Sequence, residues 1–341
     1  MNVHGDGRAT TDDLAGGRPL IVTVTPNPSL DRTLEVESLL RGEVVRAHAS
    51  RTDPGGKGVN VSRALVANGH RSRAVLPLGG PDGEVLAALL EGLGIEVAAV
   101  PIADAVRSNV TVVEPDGTVT KVNAPGPQLS SLEVEALVAR AVDAAQGAAW
   151  VVASGSLAPG MPSDLYARLG AAVDEVGARF AVDSSGPALG AVLGAHPDLL
   201  KPNEDELSEV TGSAPRTVGE VLLAAEELRA GGVGTVLVSL GATGAVLIQD
   251  GQAVHAESEA VVPRSTVGAG DALLAGFLAA GGEGPAALAE GVAWGAAACV
   301  LPGTAVPGPD DLRRDLVRTH AVDPAQPVGS GGTRSPGAAR A

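Results

Sequence analysis

Along the chain, short runs of Val, Ile and Leu alternate with longer segments rich in Ala, Leu and Glu. Leu20 to Thr25, Ala74 to Leu78, Trp150 to Ala153, Phe180 to Asp183, Asp198 to Lys201 and Thr235 to Ser239 read as strands. Helical patterns over 59–68, 82–93, 131–146, 162–177 and 217–230 lie between most of them. The strands are apolar without alternation, which predicts burial on both faces. Their alternation with helices predicts a mostly parallel sheet with right-handed crossovers, a doubly wound α/β domain. Arg107 to Asn123 breaks this pattern, because SNVTVVEPDGTVTKVN holds two alternating strands about a Pro115-Asp116-Gly117 turn. Such a solvent-facing hairpin suits a lid, to which Thr33 to Ala49 is expected to add strands. Residues 1–18 are polar, and 321–341 carry Pro, Gly and Ser with almost nothing to bury; both are expected to be disordered tails around one main domain at 19–320.

Composition narrows the chemistry. Only Trp150, Trp294, Tyr166, Phe180 and Phe277 are aromatic, so the core must be built from Ala, Val and Leu, and base stacking on aromatic platforms is not the main device. A formal net charge of −16 repels nucleic acid and anionic lipid. Any anionic ligand therefore needs a locally positive pocket. The single cysteine, Cys299, cannot form an internal disulfide, and the six histidines fall at no zinc-finger spacing. No basic leader followed by an apolar stretch opens the chain, and no run of about 18 apolar residues is present. A cytoplasmic, non-membrane protein is expected.

The segment Ser265-Thr266-Val267-Gly268-Ala269-Gly270-Asp271 runs into a helical pattern. Small residues before a helix let backbone N–H groups face a ligand, and the positive helix end favours phosphate oxygens. The amides of Gly268, Ala269 and Gly270 can form an anion hole for a transferring phosphoryl group while Asp271 accepts the proton of an attacking hydroxyl. The same residues also fit a plain helix cap after a glycine turn. Neither a GxxxxGK[ST] loop nor a GxGxxG after a strand occurs, which excludes the P-loop and dinucleotide readings.

A second glycine loop, Pro54-Gly55-Gly56-Lys57-Gly58-Val59-Asn60, precedes another helix. Its glycines admit a polar ligand close to the backbone, and Asn60 offers both a donor and an acceptor to a sugar hydroxyl. The alternative is a flexible turn with a solvated lysine. Asp31 follows the first strand, near the edge where open α/β sheets bind ligands, and could hold vicinal hydroxyls or simply lie on a surface loop.

Together these segments resemble the ribokinase-like (PfkB) carbohydrate kinases over roughly residues 20 to 318. STVGAGDALLAGF is similar to the family's C-terminal signature and PGGKGVNVSRAL to its N-terminal glycine motif, more than 200 residues apart and in the right order. The resemblance implies a ribokinase-like fold with a small β-strand lid, ATP as donor, and Mg²⁺ organised largely through water by Asn203 and Glu206 of KPNEDEL. It also implies nucleotide contacts from Lys201, Val267 and, in VSLGATGA, Ser239, Gly241 and Gly244, with Ala296 to Gly303 bordering the adenine. Asp271 would be the catalytic base beside the amides of 268–270.

TPNPSLDRT, GEVVRA, Arg107-Ser108-Asn109, NAPGP, SGSLAPG and VDSSGPAL are similar to the phosphosugar branch of the family. In that branch the acceptor already carries a phosphate. Arg107 would clamp that phosphate with Lys57, Arg46 and Ser156 assisting, while Asp31, Gly55, Gly56 and Asn60 orient the hydroxyls. GGKG and Glu43 point to the subgroup that phosphorylates D-fructose 1-phosphate, with tagatose 6-phosphate or fructose 6-phosphate as alternatives. Val45 and Ala158 depart from that subgroup's Asn and Pro. The same resemblance implies a homodimer through the lids. A different class, a sugar-phosphate sensor that keeps the pocket without the chemistry, has no need of Asp271.

Overall fold

The computed structural model describes residues 18–329. Its main sheet is built from β1 (Leu20–Val24), β4 (Arg71–Leu78), β5 (Glu96–Pro101), β8 (Trp150–Ser154), β9 (Arg179–Asp183), β10 (Leu199–Leu200), β11 (Thr235–Ser239), β12 (Ala245–Gln249), β13 (Gln252–Ser258) and β14 (Val317–Ala321). The order is β14-β13-β12-β11-β10-β9-β8-β1-β4-β5. From β11 to β5 the neighbours are parallel, and β12, β13 and β14 extend the edge antiparallel. A separate sheet, ordered β3-β2-β6-β7, is formed by β2 (Ser29–Glu35), β3 (Ala49–Gly55), β6 (Arg107–Val113) and β7 (Val119–Val122).

Nine helices among the described residues cover the main sheet: α1 (Lys57–Ala67), α2 (Gly80–Gly92), α3 (Ser131–Ala145), α4 (Leu165–Asp174), α5 (Pro187–Val192), α6 (Glu204–Thr211), α7 (Val218–Ala230), α8 (Ala269–Ala279) and α9 (Gly284–Val300). The strands are apolar throughout because successive side chains enter two different cores. Val22, Val151, Val182 and Val236 pack on one face with Leu137 of α3, Leu169 of α4 and Val221 of α7. Ile21, Val152, Ala181 and Leu237 pack on the other with Leu65 of α1, Phe277 of α8 and Trp294 of α9. This arrangement sets α1 and α8 side by side on one face, although their sequences are far apart.

Two expected boundaries move. The lid strands expected at Thr33 to Ala49 lie instead on either side of that segment, at 29–35 and 49–55, and 36–48 connects them. Backbone pairing from Ser29↔Gly55 to Glu35↔Ala49 draws Asp53-Pro54-Gly55 into a strand end, so the first part of the glycine loop is lid rather than coil. The C-terminal boundary expected at 321 also moves. Pro324 and Gln326 carbonyls accept the amides of Gly219 (3.0 Å) and Val218 (2.9 Å), first-turn donors of α7 that have no partner within their own helix. Val328 is buried beside them. The rest of the two expected tails, residues 1–17 and 330–341, lies outside the described residues.

Candidate active site

Asp271 sits in the first turn of α8, 6% exposed, after Gly268 takes the left-handed conformation (φ 80°) that turns the chain into the helix. Ala272 N already bonds the Gly268 carbonyl (2.8 Å), and Ala269 N leans on Thr266 O at 3.4 Å. The amides of Gly270 and Asp271 belong to the first turn, where no carbonyl four residues back is available within the helix. Of the three amides expected to form an anion hole, that of Gly270 is thus without a carbonyl of its own helix, joined by that of Asp271, whereas that of Ala269 is turned toward Thr266 O. Val267, just before Gly268, is 36% exposed.

Asn60, on α1, donates from Nδ2 to Oδ2 of Asp271 at 2.9 Å across 211 residues of sequence. Burial first, then the negative charge of Asp183, push the Asp271 carboxyl up to about 6, against the Asn60 hydrogen bond and the charges of Lys57 and Lys201. A carboxyl at that level is still largely ionised at neutral pH and is more basic than a solvated one, which suits proton acceptance.

Asp183 ends β9 at 1% exposure and holds two ammonium groups: Lys57 Nζ at 2.8 Å on Oδ1 and Lys201 Nζ at 3.0 Å on Oδ2. Burial opposes its charge, but the two lysines outweigh it and hold the carboxyl below its ordinary value. Lys57 also reaches Glu206 Oε1 at 3.2 Å. Burial works against the Lys57 charge too, and Asp183 and Glu206 overcome it, raising the group above its ordinary value. A β-carbon built on Gly270 would lie 3.4 Å from Lys201 Nζ, so this ammonium stands against the turn that carries the candidate base. In the sequence, VDSSGPAL marks the phosphosugar resemblance without singling out Asp183. The signal for Asp183 was a carboxylate closing an apolar strand at the sheet edge where ligands bind.

Asn203 and Glu206 form a reciprocal cap on α6: Glu206 N donates to Asn203 Oδ1 (2.8 Å) and Asn203 N to Glu206 Oε2 (2.9 Å). These hard oxygens suit Mg²⁺, but they are already engaged by the cap and by Lys57. The set fits an ion that keeps its waters and takes further ligands from substrate phosphates rather than a dry protein cage. Among the described residues, no group of three or more His, Cys, Asp or Glu side chains could hold a metal ion. Ser239 pairs with Asn203 through an isolated parallel bridge, which sets the β11 end beside α6. The following turn needs Gly244 (φ 85°), where a β-carbon would run into the Ala256 carbonyl, whereas Gly241 (φ 57°) faces open space.

Of the residues expected to meet the sugar, Asp31 lies in the smaller sheet on β2. Its Oδ1 accepts from Ser29 Oγ (2.8 Å) and Asn109 Nδ2 (2.9 Å). A β-carbon at Gly55 would collide with this carboxylate, so glycine there permits the close approach of β3. Gly56 (φ 117°) precedes α1. Arg107 is placed differently from expectation. Its Nη1 donates to Ala124 O (2.9 Å), Nη2 to Asn27 O (3.0 Å) and Nε to Pro28 O (3.4 Å), so it ties the 123–127 segment to the loop after β1. Lys57 likewise spends its charge on Asp183 and Glu206. Ser156 and Arg46 are exposed, and Ser156 lies on the loop after β8.

A doubly wound sheet, a lid, and a buried carboxylate at a glycine-led helix start define a phosphotransferase acting on a hydroxyl acceptor. The pfkB family carbohydrate kinase pattern matches residues 27–311. The chain belongs to that family. It is 39% identical to the 1-phosphofructokinase of Rhodobacter capsulatus over 90% of this chain and 99% of that one. It is 38% identical to the ATP-dependent 6-phosphofructokinase isozyme 2 of Mycobacterium tuberculosis over 87% of this chain and 89% of the other. Among solved structures, phosphofructokinase-2 from Escherichia coli in complex with potassium superposes with a TM-score of 0.82 at 34% identity, covering 86% of this chain and 96% of that one.

Proposed function

We propose that the protein transfers the γ-phosphoryl group of ATP to a hydroxyl of a sugar that already carries a phosphate, converting D-fructose 1-phosphate to fructose 1,6-bisphosphate. The observation that carries the reading is the buried Asp271 carboxylate, tethered by Asn60 at the open start of α8. In this reading Asp271 takes the proton of the C6 hydroxyl as that oxygen attacks in line, and the first-turn amides of α8 receive the charge of the transferring group. Lys57 and Lys201, both paired with Asp183, flank the reacting centre from the sugar and nucleotide sides. Asp31 and Asn60 orient sugar hydroxyls, and lid closure excludes water, which would otherwise compete as acceptor. Mg²⁺, held through water by Asn203 and Glu206, would neutralise phosphate oxygens that a protein of net charge −16 otherwise repels. Ser239, Gly241, Gly244, Val267 and the Ala296 to Gly303 segment line the nucleotide side.

The preference for fructose 1-phosphate follows the relative from Rhodobacter capsulatus together with Glu43 and the GGKG loop. A 6-phosphofructokinase is the second reading, favoured by the nearly equal likeness to the relative from Mycobacterium tuberculosis. Initial rates with fructose 1-phosphate, fructose 6-phosphate and tagatose 6-phosphate under identical conditions separate these readings. Absence of ATP turnover with all three and with every other sugar and nucleoside tested rejects the kinase reading in favour of a sensor. The lid exposes Val119 and Val122, with Leu39, Leu40 and Val44 on the connection between its strands, which supports dimerisation through lids. A cytoplasmic location accords with the free Cys299 and with the absence, among the described residues, of a helix long and apolar enough to cross a membrane.

A further inference from the structure

Arg63 lies on α1 at 8% exposure, within the buried run from Val61 to Leu65. Its Nη1 donates to the Pro54 carbonyl (3.2 Å) and to Oδ1 of Asn60, one turn back (3.3 Å). Asn60 in turn gives its Nδ2 to Oδ2 of Asp271 (2.9 Å). A guanidinium has five donors and no acceptor, so an amide beside it can present only its oxygen. The orientation of Asn60, which its own shape leaves free to flip, is thereby settled, and its NH₂ end faces Asp271.

We infer that Arg63 is a positioning residue which, acting through Asn60, reserves Oδ1 of Asp271 as the oxygen that takes the substrate proton. This rests on the reading of Asp271 as the base. With Oδ2 already engaged by an N–H donor, Oδ1 is the oxygen that keeps both of its lone pairs for an incoming hydroxyl. A flipped Asn60 would instead set an amide oxygen against the carboxylate, an arrangement that repels the ionised form and is satisfied only by the protonated one. Arg63 therefore also keeps the base ionised. The other charged groups around Asp271 are Lys57 from α1, Asp183 from the end of β9 and Lys201 after β10, with Glu206 of α6 joined through Lys57. Arg63 itself faces Asp31 and Asp53 of the lid strands and, with opposite effect, Arg51.

The test is the pH dependence of kcat/KM for the sugar at saturating ATP in the parent, Arg63→Met, Arg63→Lys and Asp271→Asn proteins. Methionine keeps much of the bulk and donates nothing, whereas lysine keeps a donor-only head. Arg63→Met is expected to move the acid limb up by about one pH unit, losing roughly fivefold more activity at pH 6 than at pH 8.5. Arg63→Lys is expected to keep the parent limb. The phosphates of both substrates titrate identically for every variant, so only the displacement between variants is read. Equal loss by Arg63→Met at every pH, or an equal displacement by Arg63→Lys, overturns the inference. Should Arg63→Met not fold, Asn60→Ala must show the same upward displacement, and a parent-like limb in that variant overturns it. Near-normal turnover by Asp271→Asn rejects the base itself. An inactive Asp271→Asn beside an unmoved Arg63→Met limb rejects only the role of Arg63.

Discussion

Asp183 joins Lys57 and Lys201 through its two oxygens, at 2.8 Å and 3.0 Å, and so fixes a cation from the start of α1 and one from just after β10 to the end of β9. The cluster is buried on its Asp183 and Lys201 members, 1% and 3% exposed, while the Lys57 side chain is 35% exposed and also paired with Glu206. Removing the carboxylate therefore strands Lys201 more than Lys57. Asp183→Asn keeps the shape and is expected to cost about 3 to 5 kcal/mol, as for a buried pair broken on one side. Chemical denaturation at pH 7 measures it. Because the folded carboxyl lies below its ordinary 3.8, the parent's advantage is present above that pH and fades as pH falls through the folded value. Loss of the Asp183 charge also removes the second cause that holds Asp271 up, so the acid limb of kcat/KM should move to lower pH, opposite to the displacement expected for Arg63→Met.

Asp271 is expected to trade stability for turnover. Its carboxyl is raised from 3.8 to about 6, so the folded state binds the proton more tightly than the unfolded chain does. Stability therefore falls as pH rises between those values and stays reduced above them. Asp271→Asn removes that cost and should stabilise the protein by up to about 3 kcal/mol at pH 8, and by less at pH 4.5. The same substitution should lower kcat by roughly 10² to 10⁴. Thermal melts at the two pH values, with turnover measured on the same preparation, check both halves. A variant that melts lower at pH 8 contradicts the electrostatic account of this carboxyl.

Much of the candidate site was legible in the sequence. The two glycine motifs pointed to the candidate base and to the loops that start α1 and α8, because small residues before a helix have few physical uses. The contact between Asn60 and Asp271 was not legible, since it depends on α1 and α8 covering the same face of the sheet, and strand spacing does not say which face a helix takes. Arg63 was hidden inside an apolar run that reads simply as a buried helix. The α9 helix lacked a readable period because Ala and Gly place it against neighbours on several sides. The β12–β13 hairpin was missed although Asp250-Gly251, both at positive φ, carry its turn signal between two apolar runs. The opposite error occurred at Asp53-Pro54-Gly55, where glycine and proline suggested coil but the backbone pairs with Ser29 to Asp31.

Gly55 offers a test confined to the sugar side. Its β-carbon would meet the Asp31 carboxylate and Ser29 Oγ, the groups that also set Asp31 against Asn109. Gly55→Ala is expected to push the carboxylate from its position and lower kcat/KM for the sugar about ten- to a hundredfold, the usual result of misplacing a positioning group by about 1 Å. The KM for ATP should change little, because Lys201, Ser239 and Gly244 lie on other elements. Equal losses for both substrates would mean that Gly55 supports the fold of the lid rather than the acceptor site.

Arg107 poses the sharpest choice between two physical roles. As a phosphate clamp it should contribute only when the acceptor carries a phosphate, through charge-assisted bonds to the phosphate oxygens. As a tether it acts through the carbonyls of Asn27, Pro28 and Ala124, and its contribution is the same for any acceptor. The three tethering nitrogens leave two of five N–H groups for a ligand, so both roles can coexist in one side chain. Arg107→Ala should then raise KM for fructose 1-phosphate by about tenfold or more, as expected for losing a charged hydrogen bond. KM for unphosphorylated fructose, measured at high concentration, should rise by a smaller factor that reports the tether alone. If the two factors are equal, the phosphate is held elsewhere and Arg107 only binds the 123–127 segment to the loop after β1. If unphosphorylated fructose is untouched, the carbonyl contacts contribute nothing to the acceptor site and the clamp is the whole effect.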